Sequence, residues 1–113
     1  QQYSWMQHMP KLQATLISRL IDLGVEHVPY PDRHDGFCGL RYGGREFAHF
    51  HDFNELDLRL TKKLIRSEGL AHPPDSKVHP KRGINSHWIE LRFSRQDDLD
   101  EIVRLVQLAM ETV

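Results

Sequence analysis

The chain has 113 residues, which is enough for one domain of ordinary size and too few for two. Hydrophobic residues make up 39% of it and charged residues 27%, a balance typical of a folded globular domain and not of a disordered chain. The 15 basic and 16 acidic side chains leave a formal charge of −1, and no apolar run approaches the roughly 18 residues that cross a bilayer, so neither nucleic acid nor a membrane is predicted as a partner.

The first predicted element is an amphipathic helix over 10–23, which follows a loose segment over 1–9. Pro10 suits the first turn of a helix, and Gly24 suits its left-handed end. Apolar residues recur at helical spacing along it: Leu12, Leu16, Ile17, Leu20 and Leu23. A short strand is predicted next, over 25–30.

The following unit is predicted to be a β-hairpin, in which strands over 37–42 and 45–53 flank Gly43-Gly44. Two glycines tolerate the positive φ angles of a two-residue hairpin turn. Such a turn pairs Tyr42 with Arg45, Arg41 with Glu46, Leu40 with Phe47, Gly39 with Ala48 and Cys38 with His49. Because side chains alternate across a strand, the pairing predicts both faces. One face would carry Cys38, Leu40, Phe47, His49, His51 and Phe53, and the other Arg41, Glu46, Ala48 and Phe50.

A strand, a short helix and a long loop are predicted after the hairpin. The alternating residues 57–60 favour a strand. Thr61 can cap a short helix that runs through Ser67, with Gly69 at its end. Three prolines and a glycine then mark residues 70–86 as a long loop, and such loops are often functional.

The chain is predicted to end with a strand and a helix. The strand lies over 87–93. Its residues Ile89, Leu91 and Phe93 share one face, and Trp88, Glu90 and Arg92 share the other. Ser94 and Asp97 resemble a capping box at the start of a helix that runs to about Glu111. The buried stripe of this helix is predicted to consist of Leu99, Ile102, Val103, Val106 and Met110.

This order of elements, α-β-β-β-β-α-β-α, predicts an α+β fold. Hairpin connections favour an antiparallel sheet, here of about four to five strands. The amphipathic helices need a sheet face to cover their apolar stripes, so two longer helices and one short helix are expected to pack on it. Nothing marks an internal boundary, and a single domain over 1–113 is predicted.

The sharpest chemical signal is His49-Phe50-His51, in a chain that has 8 histidines. Two histidines two positions apart on a strand project to the same face, where they can bind a metal or act as neighbouring acid and base. The alternative is that one packs in the core and the other faces solvent. Candidates for a third metal ligand are Cys38, His72, His79 and His87. The predicted pairing brings only Cys38 close, and a lone cysteine is more often a small buried hydrophobe. No metal is therefore predicted, and a metal at the histidine pair is the less favoured alternative.

Four stretches, in this order, resemble the luciferase-like domain family, which includes the fungal luciferases and many small bacterial proteins of unassigned role. Gly44-Arg45-Glu46-Phe47-Ala48-His49-Phe50-His51 is similar to the family's Arg-Glu-x-Ala/Gly-His-x-His core. Asp57-Leu58-Arg59-Leu60 resembles its Leu-x-Leu strand, and Gly69-Leu70-Ala71-His72-Pro73 resembles its Gly-x-x-His-Pro segment. Trp88, Arg95 and Asp97-Asp98 resemble the strand and the acidic start of its last helix. The resemblance covers roughly residues 24–111.

The resemblance implies an oxygenase-like enzyme, because the fungal members oxygenate a hydroxylated pyrone derived from hispidin with molecular oxygen. One imidazole would remove a proton from an acidic enol or phenol, and a neighbouring group would stabilise the oxyanion. Catalytic roles are thereby implied for Glu46, His49, His51 and His72. Substrate contacts are expected from Trp88, Phe47, Phe53 and His79. The loop around Lys77 to Ser86 departs from the fungal pattern, so only the substrate class, a small aromatic or enolic compound, is carried over.

Two functions of different classes stay open. One is a small enzyme centred on His49 and His51. The other is a non-catalytic module that binds a small ligand beneath the long loop or dimerises through an edge strand. We expect a small-molecule ligand and no cofactor, with a homodimer as an option. The single cysteine, Cys38, excludes an internal disulfide and favours a reducing, cytoplasmic setting.

Overall fold

The computed structural model describes residues 2–113, with side chains from residue 7 onward. Three α-helices and five strands follow in the predicted order. The helices are α1 (Gln2–Asp22), α2 (Lys62–Ser67) and α3 (Leu99–Met110), with a 3₁₀ turn (Gln96–Asp98) before the last. The strands are β1 (Glu26–Val28), β2 (Cys38–Tyr42), β3 (Arg45–Asp52), β4 (Glu55–Arg59) and β5 (Trp88–Arg92). The α+β class is confirmed, and none of the described helices is long and apolar enough to cross a membrane.

The five strands form one antiparallel sheet in which each strand pairs with its sequence neighbours, in the order β1-β2-β3-β4-β5. Sequential strands joined by short connections usually lie side by side. Only the step from β4 to β5 is long, and it contains α2 and the segment 68–87, which we call the site loop. The two faces of this antiparallel meander have different surroundings.

One face of the sheet packs against α1 and α3 and forms the core with them. The largest fully buried side chains belong to this layer: Phe47, Phe50, Leu16, Leu20, Leu40, Leu56, Leu58, Leu60, Ile89, Leu99, Leu105 and Val106. The hydrophobic effect of removing these side chains from water drives the helices onto the sheet. The opposite face is therefore the one that is free to hold polar chemistry.

Helix α1 begins at Gln2, whereas the sequence predicts helix only from Pro10 and a loose segment before it. Met9 extends the apolar stripe by one position N-terminal to the proline and is 8% exposed in the core. Helix α1 therefore keeps its contact with the core on the N-terminal side of Pro10. At the other end Leu23 lies beyond the helix and is 36% exposed, so it does not belong to the buried stripe.

The hairpin turn is confirmed, because Gly43 and Gly44 both have positive φ, at 59° and 80°. The first two predicted strand pairs also form, Tyr42 with Arg45 and Arg41 with Glu46. A β-bulge then shifts the register, since Leu40 pairs with Ala48 and Phe47 is left as the extra residue. The predicted pairing beyond this point is therefore wrong by one residue.

The bulge moves the histidines to the other face of the sheet. Cys38 now pairs with Phe50, and His49 pairs with Gly39. The predicted grouping of Cys38, Leu40, Phe47 and Phe53 with the histidines is accordingly wrong, because those four side chains pack in or against the core. Phe47 and Ala48 are adjacent and both buried, which an unbroken alternation does not allow.

The later elements match their predictions closely. Thr61 caps α2 by accepting a hydrogen bond from the Leu64 amide at 3.3 Å. Before α3, the capping carboxylate belongs to Asp98 rather than to Asp97. Its Oδ2 accepts the amide N–H groups of Ser94 at 2.9 Å and Arg95 at 3.0 Å. The predicted box was thus displaced by one residue, because the 3₁₀ turn tightens the start of the helix.

Candidate functional site

The candidate site lies at the centre of the sheet face that the helices leave uncovered. Gly39, His49, Asp57 and Glu90 are cross-strand partners on the four strands β2 to β5, so their side chains would emerge in one row. Gly39 has no side chain, and Glu46 occupies that space with Oε1 2.7 Å from where a Cβ would stand. Asp57 and Glu90 are buried acids, at 1% and 3% exposure.

Three imidazoles converge on one oxygen of Asp57. The Nε2 atoms of His49, His51 and His79 lie 3.5, 3.7 and 3.5 Å from Asp57 Oδ2. The rings of His49 and His51 are 4.7 Å apart between centroids, and those of His51 and His79 are 5.2 Å apart. The side-by-side placement of His49 and His51 that their spacing predicts is therefore present. We call His49, His51, His79 and Asp57 together the imidazole cluster.

Asp57 itself is held by Arg82 from the site loop. Nη1 of Arg82 lies 2.5 Å from Oδ1, and Nη2 lies 3.0 Å from Oδ2. A planar guanidinium matches a carboxylate in this two-point geometry. The pair fixes the orientation of the carboxylate and balances its charge beneath the imidazoles.

Further hydrogen bonds and ion pairs hold the site loop against the sheet. Ser76 Oγ donates to Glu90 Oε1 at 2.8 Å and accepts the amide N–H of His79 at 3.1 Å. Arg92 in turn pairs with Glu90 at 2.8 Å and with Asp75 at 2.9 Å. These bonds satisfy the buried Glu90 and place His79 over the strand histidines.

His72 lies outside the cluster and supports it. Its Nε2–H donates to the backbone carbonyl of His79 at 2.8 Å. The resemblance implies a catalytic role for His72, but in this geometry it holds the segment that carries His79. Its other ring nitrogen, Nδ1, is buried without a hydrogen-bond partner.

Two imidazoles of the cluster, those of His49 and His79, have lowered pKa values that favour the neutral form. Burial lowers the pKa of His49, and the Asp57 carboxylate opposes this shift in part. Burial also lowers the pKa of His79, with a further reduction from the Arg82 cation. Three cluster nitrogens are buried with no hydrogen-bond partner: His49 Nδ1, His51 Nε2 and His79 Nε2. Buried polar atoms are normally paired, so the unpartnered Nε2 atoms of His51 and His79 beside Asp57 Oδ2 favour a ligand site.

Aromatic rings border the cluster on two sides. Trp88, which the resemblance implies as a substrate contact, lies 5.4 Å from His49 between ring centroids. Phe37 lies 6.3 Å from the ring of His49 and 6.5 Å from that of His51, and no local sequence pattern predicts this proximity. Arg33 covers the Phe37 ring at 4.4 Å. These rings can stack on a planar compound.

An open cleft of about 640 Å³ lies next to the neighbours of the cluster, and none of the four cluster residues belongs to its described lining. Trp88, His72 and Arg82 line it on the side of the cluster. Ile84, which is 87% exposed, and the cations of Lys62 and Arg66 line it elsewhere. The cleft is large enough for a small aromatic compound.

Of the other predicted residues, Phe47, Phe53 and Cys38 lie on the core face, and Glu46 lies on the cluster face beside His49. Phe47 is 1% exposed in the core, and Phe53 packs against the same core, so neither contacts the cluster face. Cys38 is on the core face as well, and burial raises the pKa of its thiol to about 11. Glu46 is exposed beside His49, where its carboxylate opposes in small part the burial that lowers the pKa of that imidazole.

Asp57 and Arg82 belong to the candidate site, and the sequence pattern did not single out either one. For Asp57 a signal was available. Leu56 and Leu58 flank it and face the core, so alternation places its side chain on the opposite face with the shifted histidines. Arg82 reaches Asp57 across a sequence separation of 25 residues, and no local pattern indicates such a contact.

Among the described residues, His49, His51 and Asp57 form a group that could hold a metal ion, with one ligand atom from each lying within 4.8 Å of the others. Two imidazoles and a carboxylate are a common ligand set for divalent transition metals.

Comparison with known proteins gives one match. The family model described as Luciferase domain matches residues 44–109, which contain all four residues of the imidazole cluster, Arg82 and the whole site loop. No curated protein and no solved structure matches the chain.

Proposed function

The chain belongs to the luciferase-domain family, and from this premise we propose that it is a small enzyme that activates an acidic aromatic or enolic compound at the imidazole cluster. One observation carries the proposal. Three imidazole nitrogens surround a single buried carboxylate oxygen beside an open, Trp88-lined cleft. Convergent titratable groups with shifted pKa values next to a cleft are typical of active sites.

Activation here means removal of the hydroxyl proton of an enol or phenol. Because burial lowers the pKa of His49 and of His79, both rings are neutral near pH 7 and can accept that proton. The hydroxyl O–H bond breaks, its electron pair stays on the oxygen, and the proton goes to an imidazole nitrogen. The resulting enolate is the electron-rich form expected to react with molecular oxygen, in line with the oxygenase chemistry that the family resemblance implies.

The lining of the cleft supports a flat, anionic substrate. Lys62 and Arg66 contribute cations to it, and neither has an ion-pair partner among the residues that the structure describes. No aspartate or glutamate belongs to the described lining. The apolar remainder, with Trp88 at the junction to the cluster, suits an aromatic ring.

A hydroxycoumarin is a direct probe of this function, because its phenol and phenolate forms absorb at different wavelengths. We expect it to bind, and the pKa of the bound phenol to fall by at least about one unit, since a tenfold stabilisation of the anion is one pKa unit. Titration of the probe absorbance against pH, with and without saturating protein, measures this shift.

Two variants and a control make the test specific. His49→Gln and His51→Gln should abolish the pKa shift of the probe while leaving the protein folded by circular dichroism. His34→Gln removes an exposed histidine from a different loop and should leave the shift unchanged. Binding with an unchanged probe pKa would instead support the non-catalytic small-ligand module, and absence of binding would reject both functions for this class of compound.

A further inference from the structure

We infer that the imidazole cluster binds one divalent transition-metal ion through Nε2 of His49, His51 and His79 and Oδ2 of Asp57. The inference uses the site of the proposed function and names the group that would stabilise the oxyanion there. It rests on contacts and burial, and it does not require the chain to be an enzyme.

The distances from Asp57 Oδ2 to the three imidazole nitrogens fit a shared metal ion better than they fit hydrogen bonds. The three Nε2 atoms lie 3.5–3.7 Å from Asp57 Oδ2, beyond the range of about 2.7–3.2 Å for an N–H···O hydrogen bond. Ligands at about 2.0–2.2 Å from a tetrahedral ion lie about 3.3–3.6 Å from one another. Among the described residues, the ligand atoms of His49, His51 and Asp57 already lie within 4.8 Å of one another. His79 lies outside that group, and its ring would have to move closer to act as the fourth ligand.

Burial and charge also favour a metal ion at the imidazole cluster. The side chain of Asp57 is 2% exposed and that of His51 is 11% exposed, and the Nε2 atoms of His51 and His79 have no hydrogen-bond partner. Arg82 already pairs with the Asp57 carboxylate at two points, so the imidazoles are not needed to balance its charge. Imidazole nitrogens that lack hydrogen-bond partners and lie around a carboxylate oxygen offer a cation the kind of ligands that it binds.

The surrounding contacts resemble the support that metal ligands need. Arg82 orients the Asp57 carboxylate by two hydrogen bonds, and His72 and Ser76 hold the backbone of His79 on either side of its ring. Ligands fixed in this way by their neighbours lose little freedom when the metal binds. Two ligands come from β3, one from β4 and one from the site loop, so metal binding would also lock the loop onto the sheet.

Three nitrogens and one carboxylate oxygen suit zinc, iron(II) or cobalt(II) rather than magnesium or calcium, which prefer oxygen ligands. With the ion bound, the imidazoles would serve as ligands, and the positive charge of the metal would stabilise the oxyanion of the substrate. The proton would then pass to water or to another base.

The test uses the full chain, purified without an affinity tag and stripped with a chelator. Titration with Co²⁺, followed by visible absorption, should give one saturable site per chain with the intense bands of a four-coordinate ion. Calorimetry with Zn²⁺ should give the same stoichiometry. His51→Ala and Asp57→Asn should each weaken binding by about 100-fold or more, and His79→Ala by at least about tenfold, since even supporting residues cost 10–100-fold.

His34→Ala is the matched control, because it removes an exposed imidazole outside the cluster and should leave metal affinity unchanged. Arg82→Lys tests the site without deleting a ligand and should weaken binding by about tenfold. The inference is overturned if the folded wild-type chain binds neither ion, or if the cluster variants bind as tightly as His34→Ala.

Two separate titrations distinguish a failure of the metal site from a failure of the proposed function. The metal titration is done without any organic ligand, and the hydroxycoumarin titration is done both with the metal-free protein and with the Zn²⁺-loaded protein. Stoichiometric metal without a shift of the probe pKa in either form would support the metal site and reject the proposed function. A shift of the probe pKa in the metal-free protein, together with no metal binding, would support the proposed function and reject the metal site.

Discussion

Asp57 and Arg82 form a two-point ion pair between side chains that are 2% and 10% exposed, and this pair joins the site loop to the middle of the sheet. Its N–O distance of 2.5 Å equals that of the pair between Arg33 and Asp35, whose side chains are 47% and 51% exposed. The two pairs thus differ mainly in their burial, which sets how much each matters to the fold.

Arg82→Met should destabilise the protein strongly, because it leaves the buried Asp57 carboxylate without its partner. Loss of one member of a buried pair costs about 3–5 kcal/mol in free energy of unfolding. Urea denaturation followed by circular dichroism measures it. Arg33→Met is the matched control and should leave the denaturation midpoint nearly unchanged, because water screens that pair. Equal effects of the two substitutions would show that Arg82 is not a buried anchor.

Gly36→Ala should be much more damaging than Gly44→Ala, although both glycines have positive φ, at 88° and 80°. A Cβ on Gly36 would lie 2.5 Å from the backbone nitrogen of Phe53, whereas one on Gly44 meets no atom within 4 Å. The backbone strain common to both is about 1–2 kcal/mol. Overpacking adds about 1–3 kcal/mol at Gly36 alone. Thermal unfolding of the two variants provides the comparison, and similar melting temperatures would contradict the packing described for Gly36.

Stability should fall as the pH drops below about 6.5, in part because of the cluster. The pKa values of His49 and His79 lie below their ordinary value of 6.5 in the folded protein, chiefly because of burial. The unfolded chain therefore binds more protons in the window below pH 6.5, and the folded state loses stability as the pH falls through the lowered pKa values. Above the ordinary value both states are deprotonated at these rings, and the contribution is fully present.

Denaturation midpoints measured from pH 5 to pH 8 in the presence of chelator check this pH dependence. His49→Gln and His79→Gln should each flatten the profile below pH 6.5. His27, whose pKa is also lowered by burial, contributes in the same direction from β1, so the residual slope should not vanish. Profiles that keep the wild-type slope after both cluster substitutions would show that these imidazoles are not held neutral by the fold.

Asp98→Ala should cost about 1 kcal/mol of stability, because its carboxylate caps two backbone N–H groups at the start of α3. Those two hydrogen bonds also lower the pKa of Asp98. Asp97→Ala should cost little, since the carboxylate next to it does the capping. Urea denaturation at pH 7 separates the two variants, and the reverse ranking would restore the capping box that the sequence suggested.

The elements that the sequence predicted correctly depend on local signals. The Gly43-Gly44 turn, the Thr61 cap and the alternation of β5 each involve residues only a few positions apart, and all three are present. The β-bulge could not be predicted in this way. It follows from the burial of both Phe47 and Ala48 in the core, and that depends on how the whole sheet packs against the helices.

The same limit applies to the candidate site. His49 and His51 were found because one strand presents both to the same face. Their true neighbours, Asp57 and Arg82, come from the next strand and from a loop held by long-range ion pairs. The predicted proximity of Cys38 depended on a register that the bulge breaks. In the actual register the Cys38 thiol lies on the core face, and the Asp57 carboxylate lies beside the histidines.

The imidazole Cε1–H resonances of the protein give the most direct test of whether the cluster and its cleft form one binding site. Hydroxycoumarin would be titrated into chelator-treated protein at pH 7, with the resonances assigned through single His→Gln variants. The signals of His49, His51 and His79 should shift together and saturate at one equivalent, while that of the exposed His34 stays in place. Saturation without movement of the three cluster signals, or movement of His34 alone, would contradict the account.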